Sequence, residues 1–173
     1  QRQMCIRDSI ERIKGHWEHE KLSYIQRNTN RLLHLVNQLM DYRRAELGIF
    51  ELRPVYANAY KKVLNCFLNY ENLSKRKDID YNLYTELQDE ELLFDETYLD
   101  LIVNNLLSNA FKYTEKGECI TVRLYKEDNN LVLQVIDTGV GIPAEKQKKI
   151  FERFYQAESG HEGSGIGLSL IHI

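Results

Sequence analysis

No stretch of this 173-residue chain approaches the roughly 20 consecutive apolar residues that a membrane-crossing helix needs, so no span is predicted within it. An excess of charge of one sign is also lacking. The 23 lysines and arginines stand against 26 aspartates and glutamates, a net charge of −3, which excludes the strongly basic surface that nucleic-acid binding requires. Proline is scarce: Pro54 and Pro143 are the only two, and both fall at predicted element edges, leaving the segments between them free to be regular. Of the three cysteines, none has Cys-x-x-Cys or Cys/His spacing. Cys66 and Cys119 therefore read as small buried hydrophobes in a reducing compartment. What is present is ordinary in proportion. With 43% hydrophobic and 28% charged residues, the chain suits one globular domain, or one domain with a helical appendage.

The two ends read differently from the middle. Gln1-Arg2-Gln3-Met4-Cys5-Ile6-Arg7-Asp8 is what one frame of a common transposon-end sequencing adapter encodes, and Leu168-Ser169-Leu170-Ile171-His172-Ile173 is what its reverse complement encodes. Residues 1–8 and 168–173 are therefore expected to be read-through peptide and are set aside from fold reasoning, with a natural amphiphilic tail as the alternative. On that expectation the natural gene continues in both directions and the domain is C-terminally truncated.

From Glu18 to Leu47 there is neither proline nor glycine, and Leu22, Ile25, Leu32, Val36, Leu39 and Met40 keep a spacing of three or four. With Thr29 filling the step between Ile25 and Leu32, this predicts a long amphipathic helix stopped at Gly48, following a turn at Lys14-Gly15-His16 and in need of a helical partner. Phe50–Val55 reads as a short strand. Ala57–Leu73 reads as a helix with Val63, Leu64, Phe67, Leu68 and Tyr70 inward. Ile79–Glu86 alternates as a half-buried strand, and Leu92-Leu93-Phe94 is short and strand-like. Asp95 is a good N-cap for a helix through Tyr113, with Leu99, Val103, Leu107 and Ala110 among its apolar positions. Cys119–Tyr125 and Leu131–Ile136 read as a hairpin turning at Asp128-Asn129-Asn130, and Ala144–Phe151 as a short helix. The order predicts an α+β fold, a two-layer α/β sandwich whose mixed sheet has helices on one face, preceded by a long helical hairpin segment. A doubly wound parallel sheet does not fit. The predicted divisions are 9–48 for the helical hairpin and 49–167 for the sandwich.

One feature of the Asp95–Tyr113 helix is unusual. Asn105, Asn109 and Lys112 lie at i, i+4 and i+7, on one line away from the apolar face. Asparagine is a poor helix former, because its amide competes for backbone hydrogen bonds, and a merely wet face more readily carries Glu, Lys or Gln. The row therefore points to a ligand: amide oxygens suit a hard cation such as Mg²⁺ that arrives with phosphate, and the ammonium suits the phosphate itself. Asp137 closes a strand and opens Asp137-Thr138-Gly139-Val140-Gly141-Ile142-Pro143, where a carboxylate can accept from an amine and glycines allow close backbone approach to a flat ring. Gly163-Ser164-Gly165-Ile166-Gly167 offers backbone N–H groups to phosphate oxygens. Between these loops, Phe151–Tyr155 and the polar run after it read as a latch and lid. Each loop alone is common turn chemistry.

In order and spacing these pieces resemble the histidine kinase branch of the gyrase, heat-shock chaperone, histidine kinase and mismatch-repair ATPase superfamily. Asn105–Thr114 resembles its N box, Asp137–Pro143 its first glycine box, Phe151–Phe154 its F box and Gly163–Gly167 its second glycine box, while Arg31–Arg43 resembles the second helix of the dimerisation and histidine-transfer domain. The wording Asn-Ala-Phe-Lys-Tyr-Thr is similar to hybrid sensor kinases of gut-type Bacteroidetes. The resemblance implies ATP and Mg²⁺ as cofactors. It implies Asn109 as principal metal ligand with Asn105 assisting, Lys112 on phosphate and Tyr113 near the nucleotide. It further implies Asp137 on the adenine amino group, Gly139 and Gly141 lining the base pocket, and Gly163, Gly165 and Gly167 cradling phosphates, with Asn109 and Lys112 as the catalytic pair. It implies transfer of the γ-phosphoryl group to a histidine, homodimerisation through the helical hairpin, relay to a response-regulator receiver, no nucleic acid, and a cytoplasmic position in a parent anchored in the inner membrane. The chain departs from the family at the phosphoacceptor. None of His16, His19, His34, His161 or His172 is followed by an acid and then a nearby proline, so the acceptor is expected upstream of Ser9. The helix after the second glycine box and the closing strands are expected to be missing. A conformational ATPase of the chaperone or repair type, and a non-catalytic dimerising module, are the competing expectations.

Overall fold

A computed structural model describes residues 51–128, 130–152, 155 and 167–172, and separate positions between Lys21 and Arg43. The chain divides into two compact units, Gln1–Leu47 and Gly48–Ile173. In the first, every described position is helical. Leu22, Ile25, Leu32, Leu33, Val36 and Met40 are all more than half exposed there, so this apolar stripe is not covered by the described residues of a single chain.

In the second unit the elements run β1 (Val55–Asn58), α1 (Ala59–Lys77), β2 (Asp80–Thr85), β3 (Glu91–Phe94), α2 (Glu96–Tyr113), β4 (Cys119–Glu127), β5 (Asn130–Asp137), α3 (Ala144–Gln147), a 3₁₀ turn (Lys149–Phe151) and α4 (Gly167–His172). The main sheet has the order β2-β4-β5, β2 parallel to β4 and β5 antiparallel to it, while β1 and β3 form a separate antiparallel pair. The sheet is thus mixed and the helices α1 and α2 share its core, the α+β sandwich expected from the element order. The strand expected at Phe50–Val55 instead occupies Val55–Asn58: Pro54 has no N–H to give a ladder, and pairing starts just beyond it, at Val55 opposite Phe94.

Strand β4 is the spine. Ile120, Val122 and Leu124 are 0% exposed and alternate with outward-facing residues, as a pleat requires. They meet Ala59, Val63 and Cys66 of α1 and Leu99, Val103, Leu107, Ala110 and Phe111 of α2. Full burial of such aliphatic side chains stabilises by roughly 1.5–3 kcal/mol each. Leu68, expected inward, is 48% exposed. It follows Cys66 by two residues, which places it on the far side of a helix whose buried stripe runs through Ala59, Val63 and Cys66. Phe67 stacks on Tyr81 at 3.9 Å between ring centroids and Tyr70 on Phe111 at 5.2 Å, joining α1, β2 and α2.

Both long helices are capped by their own sequence. Asn58 accepts from Lys61 N at the start of α1, and the chain leaves α1 through Asp78 at φ 55°, a left-handed turn that aspartate tolerates. Lys77 Nζ then donates to the Phe111 carbonyl at 2.5 Å, tying the end of α1 to the end of α2. The last element, α4, begins at Gly167 and is otherwise made of the residues expected to be read-through peptide. It packs on α2 and the 3₁₀ turn, and Ser169 is 3% exposed.

Candidate nucleotide site

The C-terminal half of α2 and the loop after β5 are fastened to each other by backbone contacts. At the base of the loop, Thr138 continues the β4–β5 ladder: its N–H donates to the Cys119 carbonyl at 3.1 Å, and its Oγ1 accepts from Cys119 N at 2.9 Å. One residue further, Gly139 N donates to Asp137 Oδ1 at 3.1 Å. Val140 N then donates to the Tyr113 carbonyl, the last residue of α2, at 3.3 Å. A Cβ at Gly139 would overlap that same carbonyl oxygen, so only glycine lets the loop come this close. Gly141 is required for a different reason, its φ of 68°. The carboxylate of Asp137 and the last turn of α2 are in this way held in one neighbourhood.

Along α2 the three residues of the polar row differ. Asn105 is 9% exposed; its Nδ2 donates to the Leu101 carbonyl at 2.9 Å and its Oδ1 faces Gly167 at the start of α4. Asn109 is half-buried and its amide has no hydrogen-bond partner among the described residues. Lys112 is half-buried with Nζ 4.7 Å from the centroid of the Tyr113 ring, a cation–π contact. Immediately after the helix, the Thr114 hydroxyl is buried without a partner among the described residues. Asp137 is exposed and its Oδ1 is engaged by Gly139. Gly163 and Gly165, with Arg153 and Phe154 of the expected latch, lie outside the described residues, whereas Phe151 sits in the 3₁₀ turn.

Residues 94–173 match the family model described as histidine kinase-, DNA gyrase B-, and HSP90-like ATPase. Over 159 residues the chain is 32% identical to Histidine kinase P4 of Formosa agariphila, an alignment covering 88% of this chain and 12% of that protein. The solved mycobacterial sensor histidine kinase MprB is 30% identical, with TM-score 0.55, over 70% of this chain and 76% of that one. The chain belongs to the histidine kinase ATPase family. Full-length ShkA, solved in complex with AMPPNP, superposes on this chain with TM-score 0.72 and 25% identity, over 82% of this chain and 30% of that one. The chain spans an eighth or less of the first two curated relatives it matches.

Sequence spacing singles out Asn109, Lys112 and Asp137 but not the contacts around them. Thr138 and the Tyr113 carbonyl are what fasten the loop to β4 and α2, and no local pattern marks either. Thr138 looks like any turn residue, and a backbone carbonyl has no sequence signature. Among the described residues no group of three or more His, Cys, Asp or Glu side chains could hold a metal ion. Oxygen for a hard cation is offered instead by the unpartnered amide of Asn109.

Proposed function

We propose that this chain is the nucleotide-binding part of a sensor histidine kinase, taking Mg-ATP between the C-terminal half of α2 and the Asp137 loop. In the whole protein, on this proposal, the bond between the β and γ phosphates breaks, a bond from phosphorus to a histidine nitrogen forms, and ADP leaves. The phosphoryl group then passes to a response-regulator receiver. The observation that carries the proposal is the Val140–Tyr113 bond, which ties the loop holding Asp137 to the helix end holding Asn109 and Lys112. ATP as the ligand is further supported by the nucleotide analogue present in the ShkA complex.

Each residue has a role that its surroundings permit. One oxygen of Asp137 accepts from the adenine amino group, while its other oxygen keeps the loop folded through Gly139. Tyr113 packs near the base. Lys112 turns from its ring contact to a phosphate oxygen. Asn109 fits a magnesium ion, which prefers oxygen ligands and keeps several waters and phosphate oxygens of its own. When bound, Mg²⁺ supplies neutralisation of phosphate charge, and positioning supplies much of the remaining rate enhancement. Gly163, Gly165 and Gly167 contribute backbone N–H groups to the phosphates. The uncovered stripe through Leu22, Ile25, Leu32, Val36 and Met40 supports homodimerisation through the helical segment. Among the described residues no helix is long and apolar enough to cross a membrane; a membrane anchor of the whole protein is part of this proposal.

Calorimetric titration with Mg-ATP tests the site. Asn109→Asp, which brings a like charge to the phosphates, and Asp137→Asn, which replaces an acceptor, are expected to abolish binding. Wild-type affinity in both variants would discard the assignment. Because no histidine of this chain has the acid-then-proline context, γ-labelled ATP is expected to leave no stable label on it.

A further inference from the structure

We infer that Asn105 acts as a positioning residue, a seat for Gly167 that sets the start of α4 against α2, and not as a ligand of metal or phosphate. Three observations converge. The side chain is 9% exposed, so it is closed to a hydrated cation. Its Nδ2 is committed to the Leu101 carbonyl at 2.9 Å, a bond along its own helix that fixes the amide plane. Its Oδ1 points at the backbone of Gly167: a Cβ built there lies 2.8 Å from Oδ1, closer than real Cβ atoms come. A surface amide could swing aside from such a contact. This one is packed and hydrogen-bonded, so the close approach is a fitted one.

The fit explains both residue types. Gly167 has no left-handed backbone requirement, since it is not among the positive-φ glycines. Alanine would be well tolerated there on conformational grounds, and slightly preferred at a helix start over glycine. Among the described residues, the space a Cβ at Gly167 would need is taken by the Asn105 side chain. Conversely, asparagine at 105 is a weak helix former on a helix otherwise rich in good ones. Leucine or alanine would suit the burial better unless the amide had a partner to meet. Because Gly167 also closes the glycine run 163–167, the seat fixes where that run ends relative to Asn109, one turn further along α2.

A double-mutant cycle on the full chain decides the contact without reference to ligand. Thermal unfolding of Gly167→Ala is expected to show a lower midpoint than wild type. In the Asn105→Ala background the same glycine substitution is expected to have no such effect, because the added methyl enters the space the amide leaves. Equal shifts in both backgrounds would overturn the inference, since residues that do not touch add independently. A second measurement, which rests on the proposed nucleotide site, separates positioning from ligation. ADP affinity is read with Mg²⁺ and with EDTA. Asn105→Ala is expected to weaken both by a similar factor, roughly tenfold for a coupled contact, leaving their ratio as in wild type, whereas Asn109→Ala collapses the ratio. Loss of the ratio in Asn105→Ala would make Asn105 a metal ligand and end the proposal. If wild type bound no nucleotide, the function proposed above would fail, and the thermal cycle would still settle the seat.

Discussion

At the scale of single residues, a cysteine between α1 and α2, outside the proposed nucleotide site, has a strongly perturbed proton affinity. Cys66 is 4% exposed, donates to Asp100 Oδ1 at 3.4 Å and receives Asn104 Nδ2 at 3.6 Å. Burial first, and then the bond to Asp100, push its thiol from 9.0 up to about 11. The folded chain keeps this proton through a range in which the unfolded chain has released it. The contribution is thus fully present below about pH 9 and is lost as pH rises toward about 11. Burial raises the Tyr81 hydroxyl as well, with the same sign. The unfolding midpoint is accordingly expected to fall across that interval, and Cys66→Ala to flatten the fall. An unaltered slope in the variant would assign the alkaline loss to Tyr81 and other groups.

At the scale of elements, helix α2 matters most because it carries the amide row. Its first turn is fixed by Asp95, whose Oδ1 accepts from Thr97 N at 2.9 Å and Tyr98 N at 3.2 Å, while Oδ2 accepts from Arg53 N at 2.7 Å. One carboxylate thereby caps the helix and pins the segment leading into β1. The Arg53 N–H, then those of Tyr98 and Thr97, hold its pKa below the usual carboxylate value. The stabilisation is therefore present above the unfolded carboxylate pKa and is lost as pH falls through the lower folded value. Asp95→Ala is expected to lower the urea-unfolding midpoint at neutral pH, with a smaller loss for Asp95→Asn, because the cap to the first turn is removed. A zero effect would mean that the cap contributes nothing beyond what water supplies.

For the whole molecule, stability converges on one strand. β4 has a partner on each side, β2 in parallel and β5 in antiparallel register, and its inward residues touch both helices of the core. Leu124 is fully buried at that junction. Leu124→Ala is expected to cost about 2–5 kcal/mol, a large share of the roughly 5–15 kcal/mol typical of a folded domain. Both the urea midpoint and nucleotide binding should suffer together. Retained binding with a lowered midpoint would show that the site survives without the full core.

The sequence alone determined the element types and most of the polar row. Asp95 at a helix start, the alternation through Ile120, Val122 and Leu124, and the turn at Asp128 are local chemistry, legible because each is set by near neighbours in the chain. Asn109, Lys112 and Asp137 stand out in the sequence as candidates, since asparagine on a helix and a carboxylate before paired glycines are costly unless something uses them; their role at a nucleotide is the one proposed. Only the tertiary structure separated Asn105 from Asn109. Their spacing on α2 gives them equal standing in one dimension, but Gly167, sixty-two residues on from Asn105, covers one amide, while the other meets no hydrogen-bonding partner among the described residues. The same holds for Gly139, whose need for a bare Cα comes from a carbonyl at the end of a distant helix. Contacts between segments far apart in sequence have no local periodicity to announce them, so packing alone decides which polar groups are covered and which are left to bind.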